Sequence, residues 1–151
     1  MGHQDIHTSL DGIECSVFYP MDKDEYEKTI GLKGRNSYMF RHGYMSRLGV
    51  TKATSSWGTE DHKHPWFYKY LDDVKMMTVQ DGKLAKCFDS GEQKIIPLVF
   101  CHGLAGSRTT YSGTCRDLAS HGYIVFTLSH FDGTANYSKK KNGDEKIWTS
   151  I

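Results

Sequence analysis

No apolar run in this 151-residue chain approaches the roughly 18 residues that a membrane-spanning helix needs. The first ten residues, MGHQDIHTSL, lack the apolar core of a signal peptide. Together these absences predict a chain of the cytoplasmic compartment, with association at a membrane surface left open. Net charge is also nearly lacking: 19 basic and 18 acidic side chains are interspersed and sum to +1, which excludes a nucleic-acid partner held by a broad basic field. The four cysteines, Cys15, Cys87, Cys101 and Cys115, are not closely paired. They read as free, buried thiols of a reducing compartment, with disulfides left open for a chain exported by another route. Aromatic residues are plentiful, with three Trp, nine Tyr and seven Phe, a load that belongs to a folded domain and not to a disordered tail.

Asp11–Tyr19 is the first recognisable element. Ile13, Cys15, Val17 and Tyr19 alternate with Glu14, Ser16 and Phe18, predicting a half-buried strand that stops at Pro20. Met21–Lys28 is charged and reads as a short helix or a solvated loop. Residues 31–59 are rich in Gly, Ser, Thr, Arg and Lys and read as a loop with a short helix. Within them Met39, Phe40, Tyr44, Met45 and Leu48 recur near helical spacing beside Arg41 and Arg47. That pattern suits a segment packed on the core, or alternatively a patch meeting a lipid surface. Over 64–77, Pro65 fits a first helical turn and Trp66, Phe67, Tyr70, Leu71, Val74 and Met77 form one apolar face. A turn at Gln80-Asp81-Gly82, a short strand at Leu84–Phe88 and a turn at Ser90-Gly91 follow. His62 and His64 lie near Asp61 but lack a third ligand, so they read as loop histidines and no metal site is expected. No cofactor motif is present.

The stretch 95–129, IIPLVFCHGLAGSRTTYSGTCRDLASHGYIVFTLS, organises the rest. Ile96–Cys101 is short and apolar, as for a strand buried on both faces. His102-Gly103-Leu104-Ala105-Gly106 breaks the run with residues that permit a tight turn. Thr109 or Thr110 is placed to cap a helix whose face carries Tyr111, Cys115, Leu118 and Ala119, and Gly122 sits where that helix should end. Tyr123–Leu128 is a second apolar run. Strand, crossover helix and strand make a βαβ unit, which implies a parallel pair in an α/β sheet.

The words Pro97–Leu104 (PLVFCHGL), Arg108-x-x-Tyr111-Ser112, Asp117–Gly122 (DLASHG), Tyr123-Ile124-Val125 and the remnant His130-x-Asp132 resemble the platelet-activating-factor acetylhydrolase family. These are phospholipases of the α/β-hydrolase fold that remove short or oxidised acyl chains. Close matching covers about 36 residues around that stretch, and the upstream part matches in character only. The resemblance implies an N-terminal half of an α/β-hydrolase, mostly parallel in its sheet, with a phospholipid substrate. It also implies an oxyanion donor at the backbone N–H of Leu104, with Gly103 letting the backbone approach and His102 bracing the loop. A catalytic role for His102 is the alternative. The family can carry a lipid anchor on Gly2, but Ile6 stands where that motif wants Ser or Thr.

Several departures bear on this. Cys101 and Ala105 replace the family's Ser and Gly, and Ser129 and Phe131 replace an acidic and a basic residue, which puts the local ion pairing in doubt. No G-x-S-x-G occurs in the 151 residues, and the order of an α/β-hydrolase triad places serine, acid and histidine downstream of the oxyanion loop. Ser107 lacks the strand-to-helix context of a nucleophile. The chain is therefore expected to be truncated before the nucleophile elbow, to carry no triad member and to be inactive alone, with 130–151 an exposed, charged tail. A non-catalytic lipid-binding relative and another carboxylesterase of the same fold are the other readings.

Overall fold

The computed structural model describes residues 1–9, 11–33, 77–104, 106–135 and 137–147. The expected 31–59 insertion from residue 34 on, the 64–77 helix up to residue 76, the His62/His64 pair and Ala105 lie outside them, while Met77 itself is a bend. In chain order the described elements are β1 (Gly2–His7), β2 (Glu14–Tyr19), α1 (Lys23–Lys33), β3 (Val79–Gln80), α2 (Lys86–Asp89), β4 (Ile96–Cys101), α3 (Ser112–Ser120), β5 (Tyr123–Leu128), β6 (Tyr137–Lys139) and β7 (Glu145–Ile147). Five strands form one sheet in the order β3-β1-β2-β5-β4. β1 is parallel to β3 and β4 is parallel to β5, whereas β2 runs antiparallel to both β1 and β5. This mixed α/β sheet is compatible with an α/β-hydrolase-like fold.

The βαβ unit forms as its apolar periodicity dictates. β4 and β5 pair over six residues each, from Ile96 opposite Tyr123 to Cys101 opposite Leu128. The crossover helix α3 buries Cys115 and Ala119 against Phe18 and Val125, with Leu98, Phe100 and Leu118 packed around them. Gly122 ends the helix at φ +96°, a conformation open to glycine at little steric cost. Neither Thr109 nor Thr110 caps it: Tyr111 occupies the cap position without a side-chain bond, because both threonines are engaged in the turn before it.

Three sequence expectations need correction. β2 is not half-buried but buried on both faces, with Phe18 and Ser16 both at 0% exposure. It lies between β1 and β5, with α3 over one face and Ile6, Leu84, Ile124 and Phe126 packed around Cys15, Val17 and Tyr19 on the other. β4, expected to be buried on both faces, lies at the sheet edge with Ile96 50% and Val99 64% exposed, since apolar content does not say where in a sheet a strand falls. Leu84–Phe88 is not a strand: Phe88 and Asp89 donate their N–H groups back to the Ala85 carbonyl and Ser90 donates to Lys86, closing the helical turn α2.

Besides the two-residue β3, which takes in Gln80 of the expected turn, one strand and one hairpin were unforeseen. The polar run Gly2–His7 forms β1, in register with β2 from Gly2 opposite Tyr19 to His7 opposite Glu14. Residues 137–147 are an antiparallel hairpin, not a featureless tail. Its Lys141 N–H donates to Gly12 (2.8 Å), and Lys140 bridges to Ile13, so it docks on the β1–β2 turn. The charged stretch after Pro20 resolves as α1, with Asp24 and Glu25 in its first turn, where the helix dipole favours acid. Among the described residues no helix is long and apolar enough to cross a membrane.

Candidate functional site

Open α/β sheets present their ligand sites at the carboxyl ends of the strands, and here β4 ends in Cys101-His102-Gly103-Leu104. The turn is closed on one carbonyl. Gly103 C=O accepts the Gly106 N–H at 3.0 Å and His102 Nδ1 at 2.8 Å. Gly106 sits in a tight space: a Cβ there would stand 3.0 Å from both the Gly103 oxygen and the His102 Cβ. At Gly103 an added Cβ would meet the Tyr111 hydroxyl at 3.4 Å. Leu104 projects its side chain outward, 67% exposed, and among the described residues its N–H meets no backbone carbonyl.

His102 is buried and bonded at both ring nitrogens. Its Nε2 accepts the backbone N–H of His130 at 3.1 Å, which puts the proton on Nδ1, where it is donated to Gly103. Burial lowers its pKa from the ordinary imidazole value, with the nearby His130 adding to the fall while the Gly103 carbonyl and Asp132 oppose it. The two imidazole rings lie 4.1 Å apart. His130 Nδ1 is in turn 3.3 Å from Thr134 Oγ1, and Thr134 gives both its N–H (2.8 Å) and its hydroxyl (2.6 Å) to Asp132 Oδ1. Those bonds hold the Asp132 carboxyl below its ordinary pKa. The remnant His130-x-Asp132 is thus a turn clamped against the loop after β4.

A second anchor follows the loop. Arg108 is 5% exposed, and its guanidinium lies 3.8 Å from Asp5 and 3.6 Å from Glu14. Its backbone N–H donates to Ser129 Oγ at 3.1 Å. Where an acidic residue was in question at 129, the serine hydroxyl serves as acceptor. Ser107 is 1% exposed and surrounded by the hydroxyls of Thr109 (3.4 Å) and Thr110 (3.3 Å), so it is a turn residue, out of reach of a substrate. Cys101 is exposed, contrary to the expectation of burial, whereas Cys15 and Cys115 are buried with their thiols pushed up to about 11 by desolvation.

Of the expected site residues, the structure brings His102, Gly103 and Leu104 together at one turn. Sequence reasoning missed Arg108 with its two carboxylates and the part played by His130, whose partners lie far away in the chain.

The family model of platelet-activating factor acetylhydrolase, isoform II, matches residues 3–149. The chain belongs to this family. The dog (Canis lupus familiaris) platelet-activating factor acetylhydrolase is 45% identical over 147 residues, covering 93% of this chain and 29% of the relative. A putative phospholipase A2 of Schizosaccharomyces pombe is 43% identical over 133 residues, or 88% of this chain and 27% of the relative. The chicken (Gallus gallus) acetylhydrolase is 41% identical over 67 residues, 43% of this chain and 16% of the relative. The chain therefore spans under a third of the length of these curated relatives.

Proposed function

We propose that the chain supplies the oxyanion-stabilising half of a phospholipid ester hydrolase that removes a short or oxidised sn-2 acyl group, as from 1-alkyl-2-acetylglycerophosphocholine. A serine, activated by a histidine and an acid outside these 151 residues, attacks the ester carbonyl. The tetrahedral oxygen so formed accepts the Leu104 N–H. Collapse releases the lysophospholipid and leaves an acyl-serine for water to cleave. The observation that carries this reading is the Leu104 N–H at the carboxyl end of β4, without a backbone partner among the described residues, in a turn whose neighbouring carbonyl is held twice. His102 is read as the brace of that turn, its two ring nitrogens being occupied.

The test joins residues 1–151 to the remaining part of the dog relative and assays a 2-acetyl phospholipid. Leu104→Ala keeps the N–H and should keep the rate. Leu104→Pro removes it and should lower kcat by roughly 100- to 1,000-fold, the usual loss for one oxyanion donor. The 151-residue chain alone should show no turnover. Full activity of the proline variant, or ester hydrolysis by the chain alone that a single substitution abolishes, would sink the reading.

A further inference from the structure

The hairpin β6–β7 brings charge to the same end of the sheet as the His102 turn. Phe131 directly follows His130, whose ring touches His102, and two ammonium groups converge on the Phe131 ring. Lys140 Nζ is 4.6 Å from its centroid and Lys146 Nζ 5.8 Å. Lys141 follows Lys140 in the hairpin turn, its backbone N–H donating to Gly12. The acids of the hairpin are engaged elsewhere: Glu145 takes Lys139 (3.6 Å) and the Tyr137 hydroxyl (2.9 Å), and Asp144 takes the Asn142 amide (2.8 Å). The Asp132 carboxylate is held by Thr134. Among the described residues, then, Lys140, Lys141 and Lys146 have no carboxylate within ion-pair distance. Like charges gathered on one ring repel, and an anion placed over them removes that repulsion.

We propose that Lys140 and Lys146, gathered on the Phe131 ring, together with Lys141 next in the chain, form a contact surface for an anionic lipid bilayer, and that it seats the carboxyl ends of β4 and β5 against the membrane. The chemistry fits that partner. Lysines near an anionic bilayer gain attraction from its surface potential, and an aromatic ring suits the headgroup level. A near-neutral chain offers no comparable field for a long polyanion. The choice of lipid over other anions rests on the phospholipase reading above. Binding is measured without turnover, so its failure and the failure of that reading are distinguishable.

The experiment is sedimentation of the 151-residue chain with vesicles of phosphatidylcholine alone or of phosphatidylcholine with phosphatidylserine. Binding should require phosphatidylserine and weaken as salt rises. Lys140→Gln or Lys146→Gln should each weaken it about fivefold and the pair about thirtyfold. Lys140→Arg with Lys146→Arg, which keeps both charges, should bind like the parent, and this pair separates charge from misfolding. Lys94→Gln removes the same charge at the other end of β4 and should leave binding unchanged. Equal binding to neutral vesicles, or binding unmoved by the double glutamine variant, overturns the proposal. So does stronger competition by inorganic phosphate than by chloride of equal ionic strength, which would assign the lysines to a free anion. Tighter binding to duplex DNA than to the anionic vesicles overturns it too.

Discussion

Acid should unfold this protein through a histidine that the site does not use. His3 lies in β1 at 0% exposure, with its ring 6.1 Å from that of Phe18. Burial lowers its pKa to about 4, against the weaker raising effects of Asp5 and Asp81 and with a further fall from Arg108. A depressed pKa means the unfolded chain binds the proton more tightly, so stability is fully present above about pH 6.5 and is lost as pH falls toward about 4. Integrating between the two states gives a loss of about 2 kcal/mol by pH 5 and about 3 kcal/mol at the lower limit. Urea unfolding followed at pH 7, 6 and 5 measures this directly. His3→Phe keeps a ring against Phe18 and removes the proton site, so the acid loss should shrink by about 2 kcal/mol at pH 5. A residual slope of the same sign should remain from His102, whose pKa is also lowered. If His3→Phe has the same dependence on pH as the parent, the assignment to His3 is refuted.

Other perturbations test the anchors of the loop. Gly106→Ala forces a methyl group to 3.0 Å from the Gly103 oxygen and should destabilise by about 1 to 3 kcal/mol, with faster hydrogen exchange at the His130 amide as the local readout. Arg108→Met removes the counter-charge of Asp5 and Glu14, both roughly 30% exposed, and should cost about 2 kcal/mol, below the range for a fully buried pair because water can reach the carboxylates. Adding Asp5→Asn and Glu14→Gln to that variant should recover part of the loss in urea titrations. Cys101 should alkylate first with iodoacetamide in the folded protein, with Cys15 and Cys115 protected by burial and raised pKa. Equal labelling of all three by mass spectrometry would contradict this packing.

What the sequence disclosed divides along physical lines. β4, α3 and β5 were legible because apolar runs of strand length and a helical face are local patterns, punctuated by Gly103, Gly106 and Gly122. Position within the sheet was not, since it is decided by partners distant in the chain, and so the edge exposure of Val99 was missed. β1 was invisible because GHQDIH has no apolar period. Its place in the sheet comes from a backbone ladder and from polar partners such as Ser16, whose hydroxyl donates to Asp5 at 2.6 Å. The β6–β7 hairpin was hidden by its lysines, although the Asn142-Gly143 pair, with Gly143 at φ +97°, is a turn signal that could have been read. At the site, the His-Gly word located the turn, and the bond from His130 across 28 residues lay beyond any local pattern.

The two kinds of anchor around that turn have different consequences. Apolar packing on α3 fixes the sheet but is tolerant in direction, whereas a bond from an N–H to an imidazole nitrogen fixes an orientation. His102 spends both nitrogens on such bonds, one within the turn and one to the segment after β5. Arg108 ties the exit of the same turn to β1 and β2 through Asp5 and Glu14, and to the end of β5 through Ser129. The conformation in which the Leu104 N–H meets no backbone carbonyl among the described residues is therefore held by residues of β1, β2 and the β5 exit, all within this chain. A loop placed this way does not depend on a ligand to form it, and under the proposed function that is the preorganisation an oxyanion donor requires.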